Sequence, residues 1–279
     1  TLKNILIPKN WTVHILLLLA SLIMLYPLLW MVSSSFKLET EIFRSSSLIP
    51  EVFTSEHYVN GWTALQTPFT RFYINSFIVV GLAVIGTVLS CSVTAYAFAR
   101  LNFKFKRVWF SLMMGTLMLP FHVTLVPQYI MFNELDWINT ILPLTVPSFM
   151  ATSAFFVFLN VQFIRGIPME LDEAAAVDGA SKWQVFSLII FPLSKPALIT
   201  TAIFSFIFTW NDFLSQLLYL NQTDLFTVPL ALRQFVSAMD QSSFGQLFAM
   251  STLAQIPVLL FFVFGQKYIV QGITTTGFK

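Results

Sequence analysis

The chain has 279 residues, of which 56% are apolar and only 10% charged. A soluble domain carries about 25% charged residues, so there is too little polar side chain to coat a water-facing surface, which excludes a freely soluble globule. The formal net charge is +2, and the cations gather at the ends of apolar runs, not in one basic patch, so nothing points to nucleic acid.

A helix needs about 20 apolar residues to cross the hydrocarbon core of a bilayer. Runs of that kind lie near 13–32, 74–98, 108–132, 139–164, 193–219 and 245–270. They predict an all-α integral membrane protein, one transmembrane domain over 1–279. The first run, Val13–Val32, is followed by Ser33, Ser34, Ser35, Phe36 and Lys37 and by no small-residue cleavage site, so it is expected to be a retained helix. The second carries small residues at four-residue spacing, Ala83, Thr87, Cys91, Ala95 and Ala99. Such a stripe lets helix backbones approach closely in lipid, either within this chain or against a partner subunit. Cys91 is the only cysteine; it has no internal disulfide partner and reads as a small buried filler. The third run holds Leu119-Pro120 and Val126-Pro127, interruptions that a membrane helix tolerates when neighbours satisfy the freed backbone groups.

Lys and Arg near helix ends set orientation. With the N-terminus inside, the inner segments carry Lys3, Lys9, Arg100, Lys104, Lys106, Arg107, Arg165, Lys182, Lys195, Lys267 and Lys279, against Lys37, Arg44, Arg71 and Arg233 outside. An even number of spans then leaves both termini inside. Longer outer loops are expected near 33–73 and 220–244.

The inner loop, roughly 165–192, is unlike an ordinary connector. Pro168 suits the first position of a helix, and Glu170, Asp172 and Glu173 then complement the helix dipole. Ala174, Ala175 and Ala176 are strong helix formers, and Gly179 suits the left-handed residue that ends a helix. Ser181 reads as a new N-cap, with Gln184 three residues on completing a capping box. Pro192 and Pro196 punctuate the entry to the next span. The residues therefore predict two short helices around a glycine turn. The first is too short to stand alone; it lies on the lipid interface, on its own bundle, or in a groove of a soluble partner.

Asp212 falls inside the fifth apolar run. A carboxylate there costs about 2.5 kcal/mol even on lenient insertion scales, so it must face a cavity, a partner or the bundle interior. Asn211 and Asp212 are candidates for lining a translocation path, or for an interhelix or gating hydrogen bond. His14, His57 and His122 are too scattered for a metal site. Trp11, Trp30, Trp62 and Trp109 lie near run ends, as interfacial anchors do. No Gly-x-x-x-x-Gly-Lys-Ser/Thr loop is present, so the chain is not expected to bind or hydrolyse ATP by itself.

The segment Glu173-Ala174-Ala175-Ala176-Val177-Asp178-Gly179-Ala180, continued by Phe186, Ile189, Pro192-Leu193 and Pro196, resembles the EAA motif of permease subunits of binding-protein-dependent ABC importers. Asn75-Ser76-Phe77, Ala95-Tyr96-Ala97-Phe98-Ala99-Arg100, Leu119-Pro120, Trp210-Asn211-Asp212-Phe213 and Thr227-Val228-Pro229-Leu230 are similar to the sugar-importing branch, closest to the smaller maltose-type permease. The likeness covers nearly the whole chain. It implies the type I ABC importer permease fold, with six transmembrane helices and a cytoplasmic coupling-helix loop over 165–192. In that family Glu173, Ala174, Ala175, Asp178, Gly179 and Ala180 would sit in a cleft of an ATP-binding subunit. The family often ends in a Gly-rich tail, whereas this chain ends Gly272-Ile273-Thr274-Thr275-Thr276-Gly277-Phe278-Lys279; contact of Thr275, Thr276 and Gly277 with the ATPases is implied by likeness only.

The resemblance further implies a transport subunit that is not an enzyme and moves a sugar or oligosaccharide across the bacterial cytoplasmic (inner) membrane. The implied partners are a second, related permease, two ATP-binding subunits that hold ATP and Mg, an external substrate-binding protein that would meet the 220–244 loop, and membrane lipid. In maltose-type pairs the larger permease supplies most sugar contacts, which favours a structural role for Asp212. An ion-coupled secondary transporter is the rival reading, but it would call for more intramembrane charge or for broken helices in matched halves. A membrane enzyme would need convergent catalytic groups, and none can be assembled from three dispersed histidines and Asp212.

Overall fold

A computed structural model describes residues 11–237 and 244–274, and no strand occurs among them. In chain order the helices are α1 (Trp11–Ser34), α2 (Glu39–Ile42), α3 (Glu56–Thr63), α4 (Phe69–Arg100), α5 (Lys106–Thr116), α6 (Phe121–Glu134), α7 (Leu142–Thr145), α8 (Ala154–Arg165), α9 (Glu170–Val177), α10 (Lys182–Val185), α11 (Phe191–Leu193), α12 (Lys195–Asn211), α13 (Leu214–Tyr219), α14 (Val228–Ser237) and α15 (Phe244–Thr274). Among the described residues four stretches are long and apolar enough to cross a membrane, Trp11–Ser34, Phe69–Arg100, Leu142–Arg165 and Phe244–Lys267, and the number rises to six when each of two bent pairs counts as one span.

The bends revise two of the expected straight runs. The run near 108–132 is α5 and α6 meeting at 101°. Pro120 causes this: it sits at the N-cap of α6 with φ −61° and ψ 132°, an extended backbone that no helix can continue through, and it lacks an N–H. The run near 193–219 stops at Asn211 and resumes as the short α13. On its other side it follows α10–α11 at 74°, with a π-helical stretch at Phe186–Ile190 just before. Pro192 and Pro196 flank that bend. The run near 139–164 begins as α7 and a 3-10 turn, and only then becomes α8.

The chain forms two compact units, Thr1–Phe69 with Leu232–Gln255, and Thr70–Ala231 with Ile256–Lys279. In the first, α1 is apolar all round and its spanning window buries none of its surface. Such a helix is compatible only with an apolar solvent or an apolar neighbour. The segment after it is tightly organised. Lys37 is fully buried, and its Nζ donates to the carbonyls of Ser45 (3.1 Å) and Ser47 (2.5 Å). Glu41 accepts from the Glu51 amide at 2.9 Å. Glu39 accepts from the amides of Phe244 (2.5 Å) and Gly245 (3.0 Å) at the start of α15, where a carboxylate complements the dipole. His57 Nε2 donates to the Lys37 carbonyl at 2.8 Å.

In the second unit the small-residue stripe of α4 is a packing face within this chain. Cys91 and Ala95 are buried in one cluster with Phe156, Val157, Val161 and Ile164 of α8, and with Ala175, Val185, Phe186 and Ile190. Close approach requires glycine at position 86, where a Cβ would come within 2.7 Å of the Phe149 ring. Asn160 of α8 donates to Thr201 of α12 at 2.9 Å, an interhelix hydrogen bond of the kind that glues membrane helices.

Candidate functional site

The loop after α8 closes through the glycine stop and the capping box expected of it, while Pro168 falls one residue ahead of the N-cap. Met169 is the N-cap of α9, its carbonyl accepting from the Asp172 amide at 3.0 Å. Pro168 therefore lies just ahead of the helix and not at its first position. Glu170, Asp172 and Glu173 fill the first turn. Gly179 has φ +80°. The Ala180 amide reaches the Ala175 carbonyl (2.9 Å) and the Gly179 amide reaches that of Ala176 (3.1 Å), the paired bonds of a Schellman stop. Ser181 and Gln184 form the reciprocal capping box, with Ser181 N to Gln184 Oε1 at 2.8 Å and Gln184 N to Ser181 Oγ at 3.3 Å.

The two faces of this segment differ. Ala175 is buried and Ala180 packs against the same cluster of α4 and α8. Glu173, Ala174, Asp178 and Gly179 are exposed, and the same segment carries large apolar side chains that are largely exposed. Val177 is 88% exposed and Trp183 63%. Large apolar side chains left exposed on a segment outside the long spans are candidates for an interaction surface.

Three contacts tie the segment's root to the end of α4. Arg100 Nε lies 3.2 Å from Asp172 Oδ2, both side chains nearly buried. The two atoms lack hydrogen-bond alignment, so their attraction is Coulombic. Arg100 also donates to the Ile167 carbonyl at 2.6 Å, and the Tyr96 hydroxyl donates to the Lys182 carbonyl at 3.1 Å. In the sequence Arg100 was legible only as an orientation charge and Asp172 only as a dipole partner. The available signal was that an arginine ends a long apolar helix while an acid opens a short helix in the loop after α8.

Asp212 sits not inside a helix but one residue past α12, with an extended backbone at ψ 107°. There its Oδ1 accepts from the Ser215 amide at 3.1 Å. The break resolves the charge problem: the carboxylate gains a backbone donor and faces a cavity of about 470 Å³. That cavity is also lined by Gln128, Trp137, Thr209, Ser215 and Tyr219. Asn211 does not line it; it lines a second, more open one beside Asp212 and folds its amide back onto the Ile207 carbonyl at 2.8 Å. Thr275, Thr276 and Gly277 lie outside the described residues. Among the described residues, no group of three or more His, Cys, Asp or Glu side chains could hold a metal ion.

Two motifs far apart in sequence meet. Asn75 donates to the carbonyls of Asp224 and Phe226, each at 2.8 Å. Ser76 accepts from the Val228 amide at 2.9 Å, and Thr227 donates to Gln216. The start of α4 thus holds the turn into α14.

A family model described as "Binding-protein-dependent transport system inner membrane component" matches residues 86–275. The chain is 34% identical over 268 residues to "Probable ABC transporter permease protein YurM" of Bacillus subtilis, covering 96% of this chain and 88% of that protein. It is 33% identical over 263 residues to "Trehalose/maltose transport system permease protein MalG" of Thermococcus litoralis, covering 94% of each. A chain from the crystal structure of a bacterial ABC transporter involved in the import of the acidic polysaccharide alginate superposes with a TM-score of 0.81 at 20% identity, over 91% of this chain and 94% of that one; at that identity the likeness is one of fold.

Proposed function

Because the chain belongs to the family of inner membrane components of binding-protein-dependent transport systems, we propose that it is the permease subunit through which a sugar or oligosaccharide crosses the cytoplasmic membrane, with Glu173 through Ala180 as the surface that receives the stroke of an ATPase. The sugar class is supported by the printed name of the Thermococcus relative. The partners are a second permease of related sequence, two ATP-binding subunits and an external binding protein. Lys and Arg asymmetry supports an inward position for both termini. ATP and Mg belong to the partner ATPases and not to this chain, and the tail residues Thr275, Thr276 and Gly277 are candidates for a second contact with them.

One observation carries the reading: a rigidly capped short helix presents bare apolar side chains on one face and is clamped to a spanning helix on the other. The exposed face, with Val177 and Trp183, fits a groove in a soluble partner. The buried face, through Asp172 and Ala175, rests on α4 and α8. A displacement of α9 is therefore passed to two spanning helices without an intervening flexible joint, and the Asp212 cavity between α6, α13 and the α7 turn is where access would alternate. Asn211 and Asp212 are candidates for that path.

The test is uptake by the reconstituted importer. Glu173→Lys should place a cation at the partner surface, and Gly179→Pro removes both the +80° φ and an amide that donates to Ala176. Both variants are expected to insert in the membrane at normal levels and to lose ATP-driven uptake. Normal coupled uptake by both would sink the assignment of this segment. Uptake driven by an ion gradient with no ATPase present would instead favour a secondary transporter.

A further inference from the structure

A cavity of about 480 Å³ opens where α4 and α8 end and α5 begins, near the coupling segment. Three cations line it, Lys106, Arg107 and Arg165, together with Asn102 and Ser111. No carboxylate is among its lining residues. Lys106 is occupied by the Leu101 carbonyl at 2.7 Å, and Arg165 rests over the Phe110 ring at 5.5 Å. Among the described residues neither Arg107 nor Arg165 forms an ion pair or a hydrogen bond. Arg165 is close enough to Lys106 for the two to repel.

Cations at the inner ends of spans serve orientation, but orientation requires only that they be present and hydrated. It does not require three to converge on one recess. The surrounding helix does not offset them: α5 has no acidic residue in its first turn and no side-chain cap, so the positive end of its dipole adds to the same charge. The remaining wall is aromatic, with Phe98 and Phe110 edge-to-face at 5.4 Å. A recess that is cationic at its mouth and apolar along one side, at the end of membrane spans, matches an anionic headgroup with its chain beside it. Guanidinium groups suit phosphate oxygens, which they bind in paired hydrogen bonds.

We propose that this cavity binds a phosphate-bearing anion between Lys106, Arg107 and Arg165, taken either from an acidic phospholipid or from soluble phosphate. The site bears on coupling because Arg165 is the last residue of α8, and the next turn carries the Ile167 carbonyl that Arg100 holds. Its occupancy would fix the root from which α9 projects. The inference holds whichever solute crosses the membrane.

The test uses the assembled importer in nanodiscs of phosphatidylcholine, alone or with phosphatidylglycerol admixed. Bound phosphatidylglycerol is counted by native mass spectrometry, and the thermal midpoint is recorded with and without inorganic phosphate. Arg107→Gln with Arg165→Gln should weaken retention by roughly fivefold for each cation removed, whereas Arg107→Lys with Arg165→Lys should retain much of it. Lys104→Gln removes a cation that sits over Phe105 and does not line the cavity, and it should behave as wild type. If the glutamine pair fails to assemble, Arg107→Gln alone carries the comparison, since that side chain is exposed. A midpoint raised by inorganic phosphate but not by phosphatidylglycerol, in wild type and not in the variant, would keep the site and assign it to a soluble phosphate. Equal responses of wild type and glutamine variants to both probes would overturn the site, and sugar uptake, measured separately, would be untouched by that result.

Discussion

Two structured segments lie outside the four single-helix spans and can be compared, the proposed coupling segment at 166–193 and the segment at 35–68 that follows α1. They are built by opposite means. The coupling segment is closed by neighbours in sequence: a Schellman stop at Gly179 and a capping box at Ser181. Its ties to distant elements are the Arg100–Asp172 pair, the bonds of Arg100 to Ile167 and of Tyr96 to Lys182, and apolar packing on α4 and α8. The segment after α1 is closed by charged side chains that reach backbone groups eight or more residues away, Lys37 to Ser45 and Ser47, Glu41 to Glu51, and Glu39 to the start of α15. If the first is the surface that an ATPase pushes, as proposed, a locally rigid lever suits it. A segment held by buried charge instead stands or falls as a unit.

The contrast is broken most forcefully at the Arg100–Asp172 pair. Asp172→Ala leaves the Arg100 guanidinium buried without its partner, which costs about 3–5 kcal/mol for such pairs. Because α9 is independently capped, the loss should appear as uncoupling: ATPase activity continues while uptake per ATP falls, and amide exchange rises in 167–182. Asp172→Glu should recover part of the ratio. If uptake and ATPase activity fell together in proportion, the pair would only be stabilising the fold.

This division also decides what the sequence could disclose. The spans, the glycine stop and the capping box are short-range patterns whose residues lie within a few positions of each other, and each was legible. The bends at Pro120 and around Ser194 were legible as prolines but not as angles, because a proline in lipid can be absorbed by neighbouring helices. Asp212 read as a charge in mid-helix because its apolar flanks are continuous on both sides; only the chain's path reveals that the helix has already ended. Lys37 read as an ordinary outer-loop cation. Its complete burial depends on carbonyls at Ser45 and Ser47, and carbonyls carry no sequence signature. The pairing of Asn75 and Ser76 with the 224–228 turn spans about 150 positions, beyond any local pattern.

A smaller effect sharpens the other half of the comparison. Lys37→Met keeps the length and volume of the side chain but leaves the carbonyls of Ser45 and Ser47 without their donor. Ser45 is half-buried and Ser47 exposed, so water replaces part of what is lost and the net cost of the two bonds is expected at about 1–2 kcal/mol. Limited proteolysis should show cleavage spreading across 38–55 together and not at one bond. Cleavage confined to a single site would mean that the segment is held by independent local contacts, as the coupling segment is.

The smallest effect is also the cleanest, because the two segments contain the same residue in the same role with different bonding. Ser181 and Ser55 each stand at the N-cap of a short helix and each is exposed. Ser181 accepts from Gln184 at 3.3 Å, whereas Ser55 makes no capping bond. Ser181→Ala should cost about 1 kcal/mol, seen as faster amide exchange at 182–185, and Ser181→Asp should restore it because aspartate is an equally good cap. Ser55→Ala should stay within about 0.5 kcal/mol, as for surface positions free of such features. Its helix depends instead on Tyr58, whose hydroxyl meets Ser35 at 2.7 Å, and on His57 bonded to Lys37. Equal losses at the two serines would mean that local capping counts alike in both segments, and the distinction between a lever closed by its own sequence and a segment closed by distant charges would fail at the level where it is simplest to measure.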